Sequence, residues 1–286
     1  MKLVIGGTQF GMNYGFNNKK KIIKKEVKII ENLIAKYKIN HIDTAPSYGN
    51  SEAVIGKSKL NKLNIITKLK LDNSKVNNKS LLEKEIYSSI YNSQSKLKNN
   101  LYGLFLHDYK NLIGPNGKFI VKILNDLKKK KVVKHVGISV YEAKDLKKIL
   151  KFWNPDMVQF PFNVLDQRFF KYGLIKKLKK NKTKIFARSC FLQGLLLCDP
   201  NSIQINKSNK KLLLRFNKWC LNNGISKNQA CINFVKKYNK FIDYLILGFN
   251  DSNQLKNNIK YFFGKQKKIP NLFTTNKTEI IDPRKW

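Results

Sequence analysis

The stretch His41-Ile42-Asp43-Thr44-Ala45-Pro46-Ser47-Tyr48-Gly49-Asn50-Ser51-Glu52 begins as a short apolar strand and ends as a polar loop. Asp43 closes the strand, Tyr48 follows five positions later, and Gly49 shuts the loop. Working outward, the same alternation recurs along the chain. Apolar runs at 3–7, 41–44, 64–68, 103–107, 133–139, 157–160, 184–189 and 244–247 read as strands. Helical patterns lie between them at 24–37, 52–58, 79–97, 117–131, 142–151, 169–180, 210–238 and 251–262. Asn116, Ser226 and Asp251 stand where helix N-caps are expected, and Asn222-Asn223-Gly224 divides the 210–238 pattern into two helices. Eight strands alternating with helices predict a parallel α/β fold. At 286 residues, a closed (β/α)8 TIM barrel is favoured over an open doubly wound sheet. It is expected as a single domain over 1–286, with a short tail from about 263. Gly6-Gly7-Thr8-Gln9-Phe10-Gly11 lacks the G-x-G-x-x-G spacing of an open dinucleotide-binding sheet.

Composition narrows the classes further. Hydrophobic residues make up 42% and aromatics 12%, which is the composition of a folded chain. No apolar run reaches about 18 residues, so no membrane-spanning helix is expected. The first residues lack the apolar core of a secretory signal, which predicts a cytoplasmic protein. Cys190, Cys198, Cys220 and Cys231 form no C-x-x-C pair and read as reduced thiols, with no metal site expected. The 57 Lys and Arg against 18 Asp and Glu leave a net charge of +39, which invites a nucleic-acid partner. The lysines are spread along the whole chain, however, and Asn is about one residue in eight. Lys, Asn and Ile are what AT-rich codons deliver, so base composition accounts for the bias and no specific nucleic-acid partner is expected.

In a barrel the reactive face is the carboxyl end of the strands. Lys68 ends Ile65-Ile66-Thr67-Lys68 and His107 ends Leu104-Phe105-Leu106-His107, so Asp43, Tyr48, Lys68 and His107 should converge on one mouth. A free phenol titrates near pH 10 and gives up its proton reluctantly at neutrality. An ammonium beside it stabilises the phenolate, and a carboxylate keeps that ammonium charged and in place. With a histidine to orient a carbonyl, the four make a tuned general acid for carbonyl reduction. His41 and His135 lie at strand starts, the stability face of a barrel, and are assigned to structure.

The Asp-Thr-Ala-x-x-Tyr-Gly-x-Ser-Glu pattern at 43–52 resembles the signature of the aldo-keto reductases. Further segments follow in that family's order, including Val136-Gly137-Ile138-Ser139, Gln159-Phe160-Pro161-Phe162-Asn163, Phe191-Leu192-Gln193-Gly194-Leu195 and Leu247-Gly248-Phe249-Asn250. The resemblance covers roughly residues 1–262. It implies an NAD(P)H-dependent oxidoreductase with Tyr48 as proton donor, Lys68 and Asp43 tuning it, and His107 directing the carbonyl. It also implies a nicotinamide cofactor, usually NADPH with NADH possible, extended across the barrel mouth. Ser139 and Gln159 would hold its carboxamide, and Ser189, Phe191 and Gln193 its pyrophosphate. Gly248, Asn250, Gln254 and Asn258 would hold the adenosine end, where the helix starting at Asp251 offers backbone donors to a phosphate. Gly7 and Thr8, after the first strand, complete the expected cofactor residues.

Three positions depart from the family. Val140 follows Ser139 where Asn is usual. Arg188 stands where an aromatic often stacks on the nicotinamide, and Gln254 where NADPH-preferring relatives place an arginine. The implied substrate is a small polar aldehyde, ketone or sugar carbonyl. Tyr14, Phe16, Phe162 and Asn163 are expected near the mouth, which suits a polar ring-like molecule. A monomer or weak homo-oligomer is expected. The alternative is a catalytically silent nicotinamide-binding barrel acting as a regulator.

Overall fold

All eight expected strands form, and in a computed structural model they close into one parallel barrel, each paired with the next and the last with the first. The structure describes residues 1–16, 20–72, 78–171 and 173–286. The strands are β1 (Lys2–Gly6), β2 (His41–Asp43), β3 (Asn64–Leu69), β4 (Leu101–Leu106), β5 (Val133–Ser139), β6 (Met157–Pro161), β7 (Lys184–Arg188) and β8 (Tyr244–Leu247). Boundaries shift by a residue or two from the sequence reading. Strand β3 continues one residue past Lys68, and His107 lies just beyond β4 rather than within it.

Helices cover the barrel on its outside. They are α1 (Thr8–Gly11), α2 (Lys24–Lys36), α3 (Ser51–Gly56), α4 (Lys79–Leu97), α5 (Lys110–Ile113), α6 (Gly117–Lys129), α7 (Ala143–Ile149), α8 (Arg168–Lys171), α9 (Leu174–Lys180), α10 (Lys207–Asn222), α11 (Lys227–Lys236), α12 (Ser252–Phe263) and α13 (Thr278–Ile281). Helix α4 shows why such stretches are helical. The Asn78 side chain caps its start by accepting from the Leu81 amide, and Leu82, Ile86, Ile90 and Leu97 recur on the face it buries. The 210–238 pattern is two helices, as its Asn-Asn-Gly break indicates. Ser226 caps α11 and Asp251 caps α12 through their side chains, whereas Asn116 makes no side-chain cap bond to α6.

The apolar residues sort into two layers. Val4, Ile66, Phe105, Met157, Phe186 and Ile246 fill the barrel interior, while a larger cluster seals the strands against the helix ring. Strands buried on both faces carry continuous apolar runs, hence the lack of alternation in sequence. At the amino-terminal end His41, Tyr102, His135, Lys184 and Tyr244 close the barrel floor. The Tyr102 and Tyr244 hydroxyls lie 3.2 Å apart, and Lys184 Nζ is 3.0 Å from Tyr102 Oη and 2.7 Å from His135 Nε2. An ammonium can only donate, so His135 accepts at Nε2 and is neutral.

Residues beyond 263 are more than a tail. Ile269, Phe273, Ile280 and Ile281 are buried in the core. The segment ends with the Trp286 ring edge-on to Phe16, 5.2 Å between centroids, beside the barrel mouth.

Candidate active site

Strand register brings the chemistry to one level. Asp43 pairs in register with Gly6 and Ile66, Ser139 with Gln159, and Arg188 with Pro161, all at carboxyl ends. There they open on a cavity of about 370 Å³ lined by Asp43, Tyr48, Lys68 and His107 together, a size typical of small-molecule sites.

Lys68 is almost wholly buried, and its Nζ lies 2.6 Å from Asp43 Oδ2 and 2.9 Å from the Thr44 carbonyl oxygen. Burial disfavours its charge, yet the neighbouring Asp43 carboxylate and Tyr48 hydroxyl outweigh that and hold its pKa above the ordinary lysine value. The ammonium sits 4.9 Å from the Tyr48 ring centroid. The other Asp43 oxygen accepts from Gln159 Nε2 at 3.0 Å, and Gln159 Oε1 in turn accepts from Ser139 Oγ at 3.2 Å. A single hydrogen-bonded chain therefore runs Ser139, Gln159, Asp43, Lys68. His107 is half-buried, and burial together with Lys68, Arg188 and Lys70 lowers its pKa to about 3, so its ring is neutral at physiological pH.

The Tyr48 loop is clamped from below. Ser51 Oγ donates to the Gly7 carbonyl at 2.7 Å and lies 2.8 Å from Thr44 Oγ1. Thr67 Oγ1 donates to the buried Glu52 at 2.7 Å. Gly11 of α1 packs against this loop so closely that a Cβ there would meet the Tyr48 carbonyl oxygen at 1.7 Å. Gly49 takes the left-handed φ of +56° that the turn requires.

The expected cofactor residues divide. Thr8, Ser139, Gln159 and Arg188 line the cavity, as do Ser189, Phe191 and Gln193 on the loop after β7, and Gly248, Asn250 and Gln254 after β8. Gly7 and Asn258 do not. Gly7 backs onto the Asp43 carbonyl with no room for a side chain. Asn258 is buried behind the wall, bonded to the Gly248 carbonyl and to Asn228. The start of α12 offers fewer backbone donors than expected, because the Ser252 amide already donates to Glu26 and the Gln254 amide to Asp251. Phe162 and Asn163 also lie away from the mouth. Phe162 sits among Phe170, Phe234 and Tyr238, and Asn163 spends its amide on the Leu165 and Asp166 amides and the Ser189 carbonyl. Tyr14 and Phe16 do reach the cavity, joined by Gln9 and Tyr141, which sequence reasoning missed. Tyr141 sits two residues beyond Ser139, and that proximity was the available signal.

The four cysteines are free thiols. Cys190 reaches the cavity, but burial pushes its thiol far up, which keeps it protonated. Among the described residues no cluster of three His, Cys, Asp or Glu side chains could hold a metal ion, and no helix is long and apolar enough to cross a membrane.

A parallel (β/α)8 barrel with a polar cavity at the carboxyl ends of its strands is the layout of a barrel enzyme. The model of the aldo/keto reductase family matches residues 2–269, and the chain belongs to that family, as an NAD(P)-dependent oxidoreductase. The holo form of the aldo-keto reductase AKR11C1 from Bacillus halodurans superposes with a TM-score of 0.71 at 16% identity, over 93% of this chain and 88% of that one. The glycerol dehydrogenase AKR11B4 from Gluconobacter oxydans gives 0.70 at 18% identity, over 93% and 87%. At such identities the likeness speaks for the fold. Among curated proteins none matches the chain in sequence.

Proposed function

We propose that this protein, with residues 1–286 acting as one barrel domain, reduces a small polar aldehyde, ketone or sugar carbonyl to the alcohol, using NADPH or NADH. The observation that carries the reading is the Lys68–Asp43 pair at 2.6 Å beneath the Tyr48 ring. A buried ammonium held against a phenol has little structural use, whereas it stabilises the phenolate that proton donation leaves behind.

The residues present suit a nicotinamide cofactor. Gly248 lies open to the cavity, where a Cβ would come no closer than 3.5 Å to Gln9. The Ser139 hydroxyl and the second lone pair of Gln159 Oε1 can still pair with a carboxamide. Ser189, Phe191 and Gln193 would line the pyrophosphate, and Asn250 and Gln254 the adenosine end. When bound, the cofactor supplies a hydride to the carbonyl carbon. Tyr48 delivers the proton to the carbonyl oxygen and Lys68 steadies the resulting phenolate. Asp43 keeps Lys68 charged and placed, while neutral His107 orients the carbonyl by donating a hydrogen bond. The Gln159 link ties the seat of the carboxamide to the base of the acid.

Replacing Tyr48 by Phe tests the reading. Turnover across a panel of aldehydes, ketones and sugars should fall by about 10²–10⁴, while a fluorescence titration with NADPH stays within threefold of wild type. Near-normal turnover in Tyr48→Phe would remove Tyr48 from the role of acid.

A further inference from the structure

We propose that the substrate carries a carboxylate alongside its carbonyl and that Arg188 is the residue that selects it. This rests on the reductase reading above and adds the class of substrate.

Arg188 ends β7 and lines the same cavity as Tyr48 and His107. Its guanidinium lies 4.0 Å from the centre of the Tyr141 ring, and on that ring a second guanidinium, from Arg284, lies at 3.8 Å. The two arginines differ in what neutralises them. Arg284 is held by Asp282 at 2.5 Å and lies 3.7 Å from Glu142, and nearby Arg168 pairs with Asp166 and Glu142. Arg188 pairs with no carboxylate among the described residues. Its Nη1 donates to Ser189 Oγ at 3.2 Å, and its Nη2 is sealed from solvent with no partner among the described residues. A buried donor on a charged group left unmade is costly, and a corner that supplies acids to two neighbouring arginines has supplied none to this one.

Among the described residues that line the cavity no acid is free to compensate, because both Asp43 oxygens are engaged by Lys68 and Gln159. Two cations, Lys68 and Arg188, therefore face the ligand, and only one has a counterion. A planar guanidinium recognises a carboxylate through two parallel hydrogen bonds, a geometry a neutral amide cannot match. Arg188 lies on the Tyr141 ring and its charge bears on both Tyr14 and His107, so it is within electrostatic reach of the histidine expected to orient the carbonyl. Arg188 also touches Ser189, expected beside the cofactor pyrophosphate, so NADPH affinity is read beside turnover to tell a substrate carboxylate from a cofactor phosphate.

The test compares 4-carboxybenzaldehyde with 4-carbamoylbenzaldehyde, which share shape and differ in charge, on wild-type holoenzyme and on Arg188→Met. Wild type should favour the carboxylate in kcat/KM by about 10- to 100-fold, and Arg188→Met should bring the ratio close to one with NADPH affinity within threefold of wild type. A wild-type ratio near one overturns the proposal. So does an Arg188→Met enzyme that keeps the preference, or one whose main defect is weak NADPH binding, which would assign Arg188 to the cofactor. Calorimetry with benzoate and benzamide in the presence of NADP⁺ reads the anion site without turnover. Benzoate binding that Arg188→Met abolishes, in a protein that reduces neither aldehyde, would retain the anion site and sink the reductase reading. Turnover without carboxylate preference would do the reverse.

Discussion

Lys68 and His107 make opposite electrostatic demands on one small space. Lys68 keeps its charge in a buried position because Asp43 is 2.6 Å away, and the same positive charge helps hold His107 neutral. Replacing Lys68 by Met should lower kcat for carbonyl reduction by at least about 100-fold near neutral pH, and raising the pH should not restore it, because reduction draws on the protonated phenol. Assays of the variant between pH 6 and 10 check this; full activity at pH 7 would show that Tyr48 needs no cation. For His107 the sign follows from a pKa lowered to about 3. The ring is uncharged throughout the assay range, so kcat/KM should show no limb from this histidine between pH 5 and 8. A profile whose midpoint near 6.5 vanishes in His107→Gln would mean that the ring charges after all. That Asp43, Tyr48, Lys68 and His107 meet at one cavity could be foreseen because each lies at or just beyond the carboxyl end of a strand. The unmet Arg188 donor could not, since it depends on which acids the folded corner gives to Arg168 and Arg284.

Between the strands, the pattern at 43–52 turns out to serve two purposes. Asp43 and Tyr48 face the cavity, whereas Ser51 and Glu52 are buried braces tying the loop to β1 and β3. Sequence shows such residues as one motif and does not say which of them are supports. Helix α1 makes the same point more sharply, because Gly11 permits a contact with the Tyr48 loop that no other residue allows. Gly11→Ala should shift Tyr48 by a substantial fraction of an ångström and cost about 100-fold in kcat. Tm and circular dichroism taken beside the kinetics separate displacement from unfolding, and unchanged kinetics in a folded variant would show that the loop can yield. Gly7 and Asn258 stand off the cavity, and the start of α12 is partly engaged, for a related reason. Order along the chain puts them near a cofactor, while the fold gives them partners within the protein: the Gly7 carbonyl accepts from Ser51, Asn258 accepts from Asn228, and the Ser252 and Gln254 amides donate to Glu26 and Asp251. The eight strands, by contrast, were readable from apolar runs alone, because barrel strands are buried on both faces.

Over the whole molecule, all three histidines are held neutral: His41 and His135 at the floor, each lowered to about 4 chiefly by burial, and His107 at the mouth. Unfolded, each would titrate near 6.5. Between that value and about 4 the unfolded chain binds up to three more protons than the folded one, so stability rises with pH across the window and drains away as pH falls through it. Urea midpoints should therefore drop steadily from pH 7 to pH 5, and His135→Gln should flatten part of the slope. Equal midpoints at pH 7 and pH 5 would contradict the neutral floor. The net charge of +39 adds to the strain at low pH, because protonation there raises a repulsion that is already large.

The seam between β1 and β8 joins residues 2–5 to residues 244–247, and β8 also completes the edge of β7. Closing so long a loop costs roughly 5 kcal/mol of chain entropy before any pairing returns it. On the ribosome, β1 is made before the other seven strands and must wait for β8, the last of them, before it has a neighbour on that side. For most of its synthesis the nascent chain is an open sheet with two unpaired borders, the arrangement most prone to join another chain. A four-residue strand removes both borders at once, so the hazard ends abruptly and late.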